Sequence, residues 1–146
     1  KAKIFLGDSG SYFLGAFIAV AVIQTSIENP QISPFYFCIL LFYLFFEVFF
    51  SFIRKVLFEK KSPLFPDKKH LHMLLYETLF KKNRNKLKSN YSVSIIINLI
   101  YFILIIPAIF MMKNGLFCKY YSLVFFIIYL ISYKVCKEKI SKLNNY

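Results

Sequence analysis

Long apolar stretches constrain this chain more than any other feature. Four of them, at about 12–27, 34–53, 92–112 and 115–136, follow one another with short breaks and one longer basic interruption. A helix needs roughly 20 apolar residues to cross the hydrocarbon core of a bilayer, with a range of about 17–25. The last three runs meet that length, and the first does so if its helix starts near Ser9. Buried strands do not use runs this long. Of the 146 residues, 58% are hydrophobic and 21% aromatic, whereas a soluble domain is roughly 45–50% apolar. Little remains for a soluble core. The expected fold is therefore all-α, a polytopic membrane helix bundle in one domain over 1–146. Its four transmembrane helices are expected at about 9–27, 34–53, 92–112 and 115–136, with a cytoplasmic loop at 54–91 between the second and third.

The charges then set the orientation. There are 19 Lys and Arg against 7 Asp and Glu, for a net charge of +12. All the cations except Lys113 and Lys119 lie before the first span, between Arg54 and Lys88, or from Lys134 onward. The positive-inside rule places those three segments in the cytoplasm, and an even number of spans agrees. Charge so placed faces anionic headgroups or an anionic substrate, and nucleic acid is not needed as a partner. Cys38, Cys118 and Cys136 lie in or beside spans without metal-type spacing and read as small hydrophobes. The start does not read as a signal peptide, because a Gly/Ser/Asp clasp precedes the apolar run.

Against this background the ionisable candidates are few. Asp8 sits among Gly7, Ser9, Gly10 and Ser11 just before the first span. Such a clasp serves as a helix cap, where side-chain oxygens and a negative charge satisfy the first free N–H groups. It serves equally where a helix start and a glycine turn face a phosphate, with the carboxylate holding a cation. Glu47 lies inside the second span, where a carboxylate costs a few kcal/mol and should face the bundle interior or a polar cavity. In the loop, Pro63 and Pro66 oppose a continuous helix. His70 and His72 share a face if that stretch is extended and point about 200° apart if it is helical. A zinc site would want a third protein ligand, and none is visible nearby. Leu71, Leu74, Leu75 and Leu79 then recur at helical spacing, predicting a short helix on the membrane face.

Together these segments resemble a family. IFLGDSGSYFLG, residues 4–15, resembles the GDxGSxxLG motif of the polyprenyl-phosphate N-acetylhexosamine-1-phosphate transferases, glycosyltransferase family 4. SPLFPDKKHLHMLL, residues 62–75, resembles that family's SPxxPDRxHxHHxL loop, and FFEVFFSFIRK, residues 45–55, its PxxETxxxxxRR segment. The loop form resembles that of the branch using UDP-GlcNAc. Met73 stands where the family has a third histidine, Lys68 where it has arginine, and Leu44 where it has proline.

The resemblance implies a Mg²⁺-dependent enzyme, with Mn²⁺ as the alternative ion. It would transfer N-acetylhexosamine-1-phosphate from a UDP-sugar, GlcNAc by default, to polyprenyl (undecaprenyl) phosphate. UMP would leave, and cell-envelope glycan synthesis such as that of lipopolysaccharide would begin. It implies Asp8 as metal ligand and catalytic residue, and His70 and His72 as catalytic residues closing over the sugar nucleotide. Gly7, Ser9, Gly10, Ser11, Arg54, Lys55, Asp67 and Lys68 would bind phosphate or nucleotide. Lys69 would add a phosphate contact, and Glu47 would sit near the lipid groove. The setting would be the bacterial cytoplasmic membrane, with a homodimer left open. The family's other acidic motifs lie upstream of the GDSGS stretch, so the resemblance implies a C-terminal portion, inactive alone. The competing expectations are a small non-enzymatic four-span subunit and an inactive gene remnant.

Overall fold

The computed structural model describes residues 7–60, 62, 67 and 69–144. Its order is α1 (Gly7–Glu28), α2 (Pro34–Leu40), α3 (Phe42–Ile53) continued by a π-helical turn at Arg54–Phe58, α4 (Leu71–Asn83), α5 (Lys86–Phe110) and α6 (Gly115–Asn144). Among the described residues there is no strand. By length and composition, α1, α5 and α6 can each cross a membrane, and α2 with α3 make a fourth crossing if that bent pair is one span. The chain is a multi-pass membrane protein.

The helix starts follow local chemistry. Ser33 caps α2 by accepting the Phe35 N–H at 3.3 Å, with Pro34 in the first position, where its missing N–H costs nothing. Asn85 caps α5 through the Lys88 N–H at 3.1 Å. Arg84 ends α4 in the left-handed region, and its N–H reaches the Phe80 carbonyl at 2.7 Å. At the far end of the bundle, the Ser33 N–H donates to the Met112 carbonyl at 2.9 Å and ties the two short turns together.

Helix geometry adds detail that the apolar runs do not carry. The run at 34–53 is not one straight span. It breaks at Leu41, and the pair Pro34–Leu40 and Phe42–Phe58 is bent by 76°. No proline or glycine marks the break. The break is met from another helix: the Tyr101 hydroxyl on α5 donates to the Ile39 carbonyl at 2.7 Å and also lies 3.0 Å from that of Leu40. Carbonyls freed by a break in an apolar setting need such a partner. Helix also reaches into 54–91 from both sides. The π turn extends α3 to Phe58, α5 starts at Lys86, and α6 runs on past 136. Hydropathy marks what the bilayer covers, whereas long basic side chains let a helix continue into the interface.

The core lies where α2 and α4 wedge against α5 and α6. One cluster joins Phe46, Leu74, Tyr129, Tyr133 and Ile140, and a second joins Ile39, Ala108, Cys118 and Phe125. Phe46 meets Tyr129 edge-on at 4.8 Å and 86°, an arrangement worth about 0.5–1.5 kcal/mol beyond burial. The helix over Leu71–Asn83 thus does more than lie on the membrane, since its Leu74 enters this core. In contrast, α1 buries none of its residues.

Candidate functional site

The sequence candidates fall into two groups. The first is the start of α1. Gly7 enters the helix at φ +68°, a left-handed conformation that only glycine adopts cheaply. Asp8 follows in the first turn, exposed, where the helix dipole favours a negative charge. Ser9 and Ser11 are exposed, Gly10 is half-buried, and the Ser11 hydroxyl donates back to the Gly7 carbonyl at 2.9 Å.

The second group forms where α3, α6 and the start of α4 meet. Glu47 is buried, 7% exposed. Its Oε2 accepts the Tyr129 hydroxyl at 2.9 Å, and its Oε1 accepts the Leu71 N–H at 2.6 Å. The same Oε1 lies 3.2 Å from His70 Nδ1 and 3.9 Å from His72 Nδ1. His70 is extended, with φ −72° and ψ 150°, and precedes the first residue of α4. That conformation lets the two histidines share a face, and their rings stack at 5.6 Å and 13°.

One turn further along α3 a polar network begins. The buried Arg54 guanidinium pairs with Asp67, donates to Glu59 Oε1 at 2.5 Å and lies 3.4 Å from Ser51 Oγ. Ser51 Oγ donates to Asp67 Oδ2 at 3.1 Å, the Lys69 N–H donates to Asp67 Oδ1 at 3.0 Å, and Lys69 Nζ donates to Glu59 Oε1 at 2.8 Å. Burial would raise the Asp67 carboxyl, but the Lys69 N–H and the Arg54 guanidinium outweigh it and hold the group below the usual carboxylate range. The Lys69 ammonium, with Arg54, likewise lowers Glu59. This network ties the described part of the loop to the end of α3. Lys55 is buried beside it. Lys68, Pro63 and Pro66 lie outside the described residues.

The structure therefore brings His70, His72, Arg54 and Asp67 to one end of α3. Asp8 stands apart in sequence, in the first turn of α1. Among the described residues no group of three His, Cys, Asp or Glu could hold a metal ion. Mg²⁺ takes only one or two carboxylates when phosphates complete its shell, so exposed Asp8 suits a single ligand and not a whole site. Ser51, Glu59 and Tyr129 were not singled out in the sequence. Glu47, Ser51 and Arg54 follow at i, i+4 and i+7 on one helix face, a polar stripe that helical periodicity makes readable. Tyr129, far along the chain, carries no such signal.

Comparison with known proteins points to the same family. The family model described as Glycosyl transferase family 4 matches residues 1–26. The resemblance read from the motifs stands. The undecaprenyl-phosphate alpha-N-acetylglucosaminyl 1-phosphate transferase of Thermotoga maritima is 41% identical over 71 residues. That alignment covers 49% of this chain and 23% of the relative, so the chain spans under a quarter of the length of the curated relative it matches. No solved structure matches the chain significantly.

Proposed function

We propose that this chain is part of a polyprenyl-phosphate N-acetylhexosamine-1-phosphate transferase of the cytoplasmic membrane. It would move GlcNAc-1-phosphate from UDP-GlcNAc to undecaprenyl phosphate and release UMP, the first step of a cell-envelope glycan. The observation that carries this reading is the 41% identity over 71 residues with a protein named for that activity. The site chemistry supports it. The reaction brings several phosphate groups together at a membrane surface, and their mutual repulsion is relieved by cations, basic side chains and helix N-termini. The lipid phosphate is already largely ionised at neutral pH, its second pKa being about 6, so a strong protein base is unnecessary.

In this reading Asp8 would give one carboxylate to Mg²⁺, and substrate phosphates would supply further oxygens. The ion supplies charge neutralisation between donor and acceptor. Gly7 and Gly10 keep the helix start open to a phosphate, and Ser9 and Ser11 offer hydroxyls there. His70 and His72 stabilise developing charge on the sugar nucleotide. Arg54 and Asp67 hold the loop that carries those histidines, and Lys55, Lys68 and Lys69 add positive charge. The 146-residue chain by itself is inactive, because its own acids do not complete the metal site.

The test is UMP release from UDP-GlcNAc with undecaprenyl phosphate and Mg²⁺, using the full-length enzyme in detergent or nanodiscs. Asp8→Asn is expected to abolish turnover by removing a metal ligand. Normal turnover in that variant would remove Asp8 from the site.

A further inference from the structure

Glu47 has a structural problem that its neighbours solve. It is a carboxylate within an apolar helix, 7% exposed, and an uncompensated charge there is costly. It is compensated by groups from two other helices, the Leu71 N–H of α4 and the Tyr129 hydroxyl of α6. Helix α4 has a matching problem. A helix begins with free N–H groups that need acceptors. The residue in the capping position is His70, whose side chain makes no capping hydrogen bond. Glu47 caps α4 from outside, and its negative charge suits the positive end of that helix.

The two histidines meet at this joint. His70 immediately precedes the capped amide and His72 immediately follows it. Both Nδ1 atoms face the same Glu47 oxygen, at 3.2 and 3.9 Å. His70 Nδ1 is buried and makes no aligned hydrogen bond, so the bond to the Leu71 amide, more than any bond to an imidazole, locates the pair. The stacked rings follow from that backbone anchor.

The geometry points to Glu47 as a positioning residue. By holding the Leu71 N–H from α3, with Tyr129 bracing the carboxylate from α6, it sets where His70 and His72 stand at the membrane face. The catalytic half of this inference rests on the transferase reading above, while the structural half does not. Glu47 itself is buried among Leu71, Tyr129 and His70, so it is assigned to act through the histidines.

The experiment uses the full-length enzyme in nanodiscs with Glu47→Ala, Glu47→Asp and Glu47→Gln. Amide hydrogen exchange at Leu71 reports the joint without reference to activity, and UMP release from UDP-GlcNAc reports catalysis. Alanine removes the acceptor and aspartate withdraws it by one methylene. Both are expected to speed exchange at Leu71 by about tenfold or more, as for a lost hydrogen bond to a charged group. Both should lower kcat by about 10- to 100-fold, the scale of an ångström-level misplacement, with KM for UDP-GlcNAc little changed. Glutamine keeps an acceptor oxygen and should restore slow exchange together with much of kcat. Should alanine prevent insertion, the contrast of aspartate with glutamine decides. Unchanged Leu71 exchange in the aspartate variant would overturn the joint. Faster exchange with unchanged kcat would overturn its role in placing the histidines. If the unaltered enzyme transfers no sugar phosphate, the transferase reading falls, and with it the catalytic half of the inference, while the exchange measurement still judges the joint.

Discussion

Asp67 and Glu59 place two carboxylates around one buried guanidinium. Removing one member of such a set leaves charge uncompensated and costs more than the set contributes as a whole. Because Asp67 and Glu59 are held below their ordinary values, their contribution is fully present above the unfolded carboxylate pKa of about 4. It is lost as pH falls through the lower folded values. Amide exchange at Lys69 should therefore accelerate as pH drops below about 4, beyond the intrinsic pH dependence of exchange. Asp67→Asn should flatten that excess and speed exchange at neutral pH. An excess unchanged by the substitution would assign the acid sensitivity elsewhere. At this scale the sequence was partly legible. Asp67 was marked by its motif, and Glu47 by the cost of a carboxylate in a span. That Arg54 is occupied by two acids was not legible, since Glu59 looks like any loop acid until the π turn brings it back toward Arg54.

The broken second span belongs to the scale of elements. The Tyr101 hydroxyl on α5 donates to the carbonyls that the break exposes, so Tyr101→Phe should destabilise the protein by about 0.5–1.5 kcal/mol. Faster amide exchange should be confined to α2 and the first turn of α3. Thermal unfolding in detergent and site-resolved exchange would check this, and uniform loosening of the bundle would contradict a local role. The helix starts at Pro34 and Lys86 could be read from Ser33-Pro34 and from Asn85, because a cap acts on amides two or three residues away. The break could not be read, because residues 40–42 are ordinary helix formers and its partner lies some sixty residues on.

The whole molecule is organised by charge. If the positive-inside bias governs insertion, Lys113 and Lys119 mark the outer face, and α4 with its histidines lies on the cytoplasmic one. The native cysteines would first be replaced. Lys113→Cys is then expected to react with a membrane-impermeant thiol reagent in intact cells, and Lys82→Cys only after lysis. The opposite pattern would invert the topology and detach the site from a cytoplasmic sugar nucleotide. At this scale α1 is also informative. A helix that carries Asp8 in its first turn and fully buries none of its residues leaves most of its apolar surface exposed, with Ile18, Val22 and Ser26 half-buried along one face.

The sequence by itself determined the helical membrane architecture, the clustering of positive charge and the motifs that resemble family 4. Each is a local or additive property. Span length needs only consecutive apolar residues, orientation only a sum of charges, and a motif only its own order. Tertiary structure alone decided the bend at Leu41 and the joint at Glu47. Each of those depends on a donor or acceptor from a distant helix meeting a backbone group that would otherwise be unsatisfied away from water. Which distant residue arrives is a property of the packed bundle and not of any window along the chain.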